Sequence, residues 1–211
     1  MNNTVALLNQ WADFESKHPD ATPDDFCRYY LASSRRKDSL EGLFDGELPP
    51  RSDIVMIKLI DRIARLHSIY IHIALKDLKL SHFEEFSLLS AIAQLENPRK
   101  TEVIYHTINE LSTGLSLLSG LIKKRCITEY DDPEDKRSKR LSLTSKGEKL
   151  LMACYKQFSR IPEMMLMEVP EEDLEICIQL LKNVEIKYSK LWQQHKGKPF
   201  DDIYTSITTK K

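Results

Sequence analysis

The chain has 211 residues with 31 Lys and Arg against 32 Asp and Glu, a formal net charge of -1, and is 41% apolar and 30% charged. That balance excludes a disordered polyelectrolyte and by itself says nothing about nucleic acid, while the apolar share is enough for a buried core. Six Gly and nine Pro exclude low complexity, and no apolar run approaches the roughly 20 residues needed to span a bilayer. The N-terminal Met-Asn-Asn-Thr-Val-Ala-Leu-Leu-Asn-Gln lacks the cationic and apolar segments of a secretory signal, so a cytoplasmic location with no membrane partner is expected. Cys27, Cys126, Cys154 and Cys177 form no Cys-x-x-Cys pair, which argues against a zinc site or a disulfide framework. Most of them read as small core residues, and neither metal nor cofactor is expected.

Residues 1–50 read as an N-terminal helical extension. Val5, Leu8, Trp11, Ala12 and Phe14 recur at helical spacing until His18-Pro19-Asp20 ends the segment. Thr22 before Pro23, with Asp24 and Asp25 in the first turn, starts a second helix containing Phe26, Tyr29, Tyr30 and Leu31. Glu47-Leu48-Pro49-Pro50 then breaks the chain.

Residues 51–80 hold a long amphipathic helix from Asp53 to about Lys76, with Met56, Leu59, Ile60, Ile63, Leu66, Tyr70, Ile73 and Ala74 recurring every three or four positions. Residues 81–147 form the next unit. Ser81, Glu84 and Glu85 open a helix closed by Asn97-Pro98, and two shorter helices, about Lys100 to Ile108 and Ser112 to Arg125, are joined by the short Asn109-Glu110-Leu111 link of a helix-turn-helix. Asp132-Pro133-Glu134-Asp135 supplies turn chemistry and Leu141 and Leu143 alternate with Ser142 at strand spacing, giving a hairpin. Lys136, Arg137, Lys139 and Arg140 crowd its tip, and Thr144 or Ser145 caps the following helix. Residues 148–195 continue as helices, with Pro162 interrupting the first and Pro170-Glu171-Glu172-Asp173 starting a long second one. Its stripe is Leu174, Cys177, Ile178, Leu181, Val184, Tyr188 and Leu191; residues 196–211 lose periodicity and read as a loose tail. The fold class is thus mainly α with a small β-hairpin wing, a winged helix-turn-helix flanked by long helices. Those helices are too long for a lobe of roughly ninety residues to cover, so their stripes are expected to bury against a second copy in a homodimer.

At this point residues 53 to 192 resemble the MarR family of bacterial winged-helix regulators. Asp132-Pro133-Glu134-Asp135-Lys136-Arg137 is similar to the family's wing signature, Leu143-Thr144-Ser145-Lys146-Gly147 to the Leu-Thr-x-x-Gly that follows it, and Ile122-Lys123-Lys124-Arg125-Cys126-Ile127 to the end of its recognition helix. The resemblance implies a homodimer binding pseudopalindromic operators in double-stranded DNA, usually as a repressor released by a small phenolic ligand or an oxidant. It assigns minor-groove entry to Arg137 and the orientation of neighbouring side chains to Asp135. Guanidinium at a hairpin tip favours the narrow minor groove independently, whereas an ordinary turn acid is an equal account of Asp135.

The recognition-type helix departs from expectation, because Ser112 to Ile122 contains no Arg, Lys, Asn or Gln for base edges. Ser112, Thr113 and Ser116 remain as readers, joined by Lys123, Lys124 and Arg125 and by the wing residues Asp135, Lys136, Arg137, Lys139 and Arg140. Gly114 and Gly120 each weaken the helix by about 1 kcal/mol relative to Ala. The family's Gly after the helix is Cys126 here, and a β-carbon opposes the left-handed cap at that position. Tyr70, Phe83, Phe86 and Tyr105 are candidates for a pocket taking a small aromatic effector, with core packing the simpler account of each. Cys27 beside Tyr29 and Tyr30 invites a thiol redox reading, for which Arg28 is the one adjacent cation that would lower its pKa, with core or surface packing the simpler account. His67, His72, His82 and His106 match no compact ligand set.

The chain lacks a Gly-rich phosphate loop, a Gly-x-Ser-x-Gly elbow and a His-Glu-x-x-His motif, so it does not read as an enzyme. A DNA-binding regulator is the leading expectation. The alternatives are a protein-interaction module with a degenerate recognition helix, motivated by Leu115, Leu117, Leu118 and Leu121, and a redox-sensing regulator acting through Cys27.

Overall fold

The computed structural model describes residues 2–35, 42–47, 49–78, 80–135 and 137–209. Lys136 and Leu48 lie outside the described residues. Two compact units are distinguished, residues 1–62 and residues 63–211.

In the first unit α1 (Asn3–Lys17) begins where the Asn2 side chain accepts the Thr4 N–H at 3.0 Å. α2 (Pro23–Arg35) opens on a reciprocal capping box: Asp25 accepts the Thr22 N–H at 2.9 Å, and Thr22 Oγ1 accepts the Asp25 N–H at 3.3 Å. Phe14 and Phe26 are buried between the two helices, with Trp11 edge-on to Phe26 at 4.9 Å and Tyr29 stacked on Phe14 at 4.7 Å. This aromatic cluster is the reason such a short helical pair holds together. After a tight turn at Leu43–Gly46, the long helix α3 (Ser52–Leu75) starts.

The second unit continues with the end of α3, then α4 (Phe83–Gln94), α5 (Lys100–His106), α6 (Leu111–Lys123), β1 (Ile127–Asp131), β2 (Lys139–Leu143), α7 (Ser145–Phe158), α8 (Arg160–Leu166), α9 (Glu171–His195) and α10 (Phe200–Thr208). The hairpin pairs antiparallel, Ile127 opposite Leu143 and Asp131 opposite Lys139. Its base gains a third short partner, since Leu141 N–H donates to the Pro98 carbonyl at 2.9 Å and Arg99 bridges to Arg140. Leu88, Leu89, Val103, Ile104, Leu118, Leu121 and Leu141 are essentially inaccessible and form the centre of this lobe. The apolar stripes of α4, α5 and α6 converge there, which is why three helices with only a two-stranded sheet make a stable unit.

Several local expectations change. Thr144, not Ser145, caps α7, its Oγ1 accepting the Gly147 N–H at 3.1 Å. Ser81 does not cap α4; His82 occupies that position, and Glu85 reaches back to accept the Ser81 N–H at 2.7 Å. Pro162 interrupts the helix as expected: with no N–H to donate to the Phe158 carbonyl four residues earlier, it separates α7 from α8, in whose first turn it sits. The tail expected to be loose contains α10, opened by Pro199 with Asp201 and Asp202 in its first turn.

Gly114 is required by packing: a β-carbon there would lie 2.6 Å from Ile104 Cγ1, so the helical penalty permits the close approach of α5 and α6. At Gly147 a β-carbon would lie 2.0 Å from the Cys126 carbonyl oxygen, which explains the last Gly of the Leu-Thr-x-x-Gly sequence. The left-handed cap of α6 survives, one residue earlier than expected. Arg125 adopts φ 58°, its N–H bonding to Ile122 O at 2.8 Å while Cys126 N–H reaches Leu121 O at 3.0 Å. That 5→2 and 6→1 pair is a Schellman ending built without Gly.

The long helices contrast with the lobe. No residue of α9 is buried, and Ile178, Leu181, Val184 and Tyr188 are exposed, as are Ile54, Ile57, Ile63, Leu66, Ile69 and Ile73 of α3. Among the described residues no helix is long and apolar enough to cross a membrane.

Candidate nucleic-acid interface

α6 turns one side into the core through Gly114, Leu118 and Leu121, leaving Ser112, Thr113, Ser116, Ser119 and Lys123 exposed. Ser112, Ser116, Ser119 and Lys123 recur at helical spacing, so the outer face carries small hydroxyls and ends in one cation. Of the four leucines that motivated a protein-interaction surface, Leu118 and Leu121 are buried, Leu117 packs against the core, and Leu115 is exposed. The leucine content of the helix is therefore mainly a core signal.

The wing tip is organised by Asp135. Its Oδ1 accepts the Arg137 N–H at 3.0 Å, its Oδ2 accepts the Ser138 hydroxyl at 3.0 Å, and its carbonyl accepts the Ser138 N–H at 2.8 Å. Arg137 is exposed, and its side chain has no ion-pair partner among the described residues. Asp135 thus shapes the turn on which Arg137 stands.

The remaining cations have different surroundings. Arg140 turns inward: its Nε lies 3.1 Å from Asp132 Oδ2 and its Nη1 donates to the Asn97 carbonyl at 3.0 Å. Asp132 is completely inaccessible and also accepts from Arg99 Nε at 2.8 Å. The Glu134 N–H above all, reinforced by Arg99 and Arg140 against the opposing effect of burial, holds the Asp132 carboxyl down at about 2. Lys124 is equally engaged, donating to Glu85 Oε1 at 2.7 Å and Oε2 at 2.9 Å. Lys139 pairs with Asp131, and Lys146 donates to the Lys124 carbonyl. Among the described residues of this stretch, Lys123, Arg125 and Arg137 are exposed cations without such a partner.

Arg99, Asp132 and Glu85 were absent from the sequence-derived candidates. Glu85 was accessible to that reasoning, because it stands three and four residues before the buried Leu88 and Leu89 on the inward stripe of α4. Asp132 carries no such signal; a turn acid and a buried clamp look identical in a one-dimensional string.

The pocket candidates separate. Tyr70 lines a groove of about 560 Å³ with Ile73, Gln157, Arg160, Ile161 and Met164. Phe83 and Phe86 are 5.4 Å apart and pack on Phe158 instead, while Tyr105 meets Trp192 edge-on at 6.1 Å. Four aromatics expected to share one pocket therefore occupy three environments. Of the cysteines, Cys126 and Cys154 are buried, and burial pushes both thiols up, Cys154 to about 11, whereas Cys27 and Cys177 are exposed. Arg28 lies 3.8 Å from Asp25, so the cation beside Cys27 is shared with a carboxylate. No group of three or more His, Cys, Asp or Glu able to hold a metal occurs among the described residues.

No protein-family model and no curated protein matches the chain by sequence. Solved structures do match. A MarR protein from Peptoclostridium difficile superposes with a TM-score of 0.65 at 20% identity, covering 72% of this chain and 99% of that one. A mutant MarR from E. coli complexed with operator DNA gives 0.58 at 18% identity, over 65% of this chain and 99% of that one. The fold is the MarR-type winged helix. BpsR of Bordetella bronchiseptica, whose DNA binding is regulated by 6-hydroxynicotinic acid, gives 0.56 at 18% identity, over 62% and 98%. The near-complete coverage of those chains means that the MarR-type unit is whole here, with the rest of this chain additional to it.

Proposed function

We propose that this chain is a homodimeric, DNA-binding transcriptional regulator, with α6 in the major groove and the Arg137 wing in the minor groove. The observation that carries the reading is Arg137, exposed at a turn whose backbone Asp135 holds, on the same lobe as the exposed hydroxyl face of α6. Lys123 and Arg125 supply phosphate contacts beside it. Because that face bears no bidentate base reader, specificity draws on groove shape and on Arg137 more than on base edges.

A homodimer is supported by the unburied apolar stripe of α9, since an exposed patch of that extent marks an interface. Occupancy of an operator by such a dimer represses by exclusion. Response to a small aromatic effector is supported by the groove at Tyr70, where the Arg160 guanidinium suits an acid and Tyr70 and Met164 suit a ring. The redox alternative retains only the exposure of Cys27.

Selection of genomic fragments on the purified protein tests the reading. Enrichment of discrete fragments whose binding weakens steeply with salt is the expected result. Absence of enrichment at low salt removes it in favour of the protein-interaction module.

A further inference from the structure

We infer that Lys124, although it lies on the recognition helix among DNA-facing cations, is a positioning residue, gripped by Glu85 to set how α6 is presented. The inference rests on the DNA-binding reading above. Lys124 is the C-cap of α6, and its ammonium spans both Glu85 oxygens at 2.7 and 2.9 Å. The Glu85 side chain is 4% exposed and that of Lys124 32%, so the pair is largely withdrawn from water. Glu85 Oε2 also accepts the Ser81 N–H at 2.7 Å, which ties the segment entering α4 to the last turn of α6. Were Lys124 to reach for a phosphate, a buried carboxylate would lose its cation, which opposes the movement.

Further bonds converge on the same helix end. Thr144 Oγ1 donates to the Arg125 carbonyl at 2.8 Å, Lys146 donates to the Lys124 carbonyl, and the left-handed Arg125 closes the Schellman ending. α4, the start of α7 and the C-terminus of α6 therefore meet at Lys124. Its neighbours in sequence, Lys123 and Arg125, are exposed. The three consecutive cations thus divide by role: Lys123 and Arg125 neutralise phosphates, and Lys124 holds the helix that carries them.

The test uses the full chain with two probes, a duplex selected from genomic fragments and a random-sequence duplex of equal length, each titrated across salt. Lys123→Gln should lower the slope of log affinity against log salt by about one per half-site. Lys124→Gln should leave that slope at the wild-type value while reducing the preference for the selected duplex about tenfold, the scale of one lost specific contact. The double variant Glu85→Met/Lys124→Met removes both charges at similar volume, so it should fold, keep the wild-type slope and still lose preference. A slope for Lys124→Gln that falls as far as that of Lys123→Gln, or an unchanged preference, overturns the inference. Amide exchange in the free protein provides a readout independent of DNA: Glu85→Gln should speed exchange at Leu121 to Lys124, and unchanged protection there overturns the inference as well. Failure of the wild type to bind either duplex at low salt would instead remove the DNA reading, leaving the exchange result to decide whether the pair holds the helix.

Discussion

Helices α6 and α9 are both rich in aliphatic residues, yet α6 has three buried residues in 13 and α9 has none in 25. The difference lies in what surrounds them. α6 is enclosed by α4, α5 and β1, so Leu118 and Leu121 find partners within one chain, while Ile178, Leu181, Val184 and Tyr188 of the α9 stripe stay exposed. An apolar periodicity therefore states that a face will be covered; it does not say by which molecule.

The largest expected effect breaks the lobe. Leu141→Ala removes a fully buried side chain from the hairpin base and should lower unfolding free energy by about 2–5 kcal/mol in urea denaturation. Ile178→Ala in α9, tested at a dilution where the chain is monomeric, should leave that transition unmoved. Next comes association: Leu181→Asp or Val184→Asp should convert a dimer to monomer in sedimentation velocity, losing about 1.5–3 kcal/mol of apolar burial per chain. A wild type that stays monomeric at every concentration would mean that a different partner covers α9.

Smaller effects sharpen the same contrast within the wing. Arg137→Ala should weaken operator binding by about 1–3 kcal/mol per half-site in gel-shift titration without shifting the unfolding midpoint. Arg140→Ala, only three residues away, should do the reverse in part, lowering the unfolding midpoint because Asp132 loses a partner. The smallest effect is acid dependence. The Asp132 carboxyl, near 3.8 when unfolded and about 2 when folded, binds protons more readily in the unfolded chain, so its contribution is complete above about pH 4 and is lost as pH falls toward 2. Asp132→Asn should flatten that acid loss in urea midpoints measured across this window.

Much of this architecture was legible in the string. Thr22 with Asp25, the turn chemistry at Asp132 to Asp135, the alternation of Leu141 and Leu143, and Thr144 before Gly147 are local signals, and each produces the element it predicts. The helical tail was not: the short stretch Lys196-Gly197-Lys198-Pro199 hides the restart at Phe200. The division of the basic stripe was hidden for another reason. Lys123, Lys124 and Arg125 are identical in kind along the chain, and only the arrival of Glu85 from a helix 39 residues away withdraws the middle one. Likewise Arg137 and Arg140 differ through Arg99, Asn97 and Asp132, which come together by pairing of the hairpin with the chain before α5.

The sequence by itself determined the elements, their order and the presence of a cationic hairpin after a short-linked helix pair, because capping, turn chemistry and apolar period act within a few residues. Tertiary structure alone decided which cations remain free, which glycines are needed for close approach, and which apolar stripes are left without cover. Those outcomes depend on groups brought together from distant positions, where a buried carboxylate or a carbonyl at contact distance outweighs any local preference.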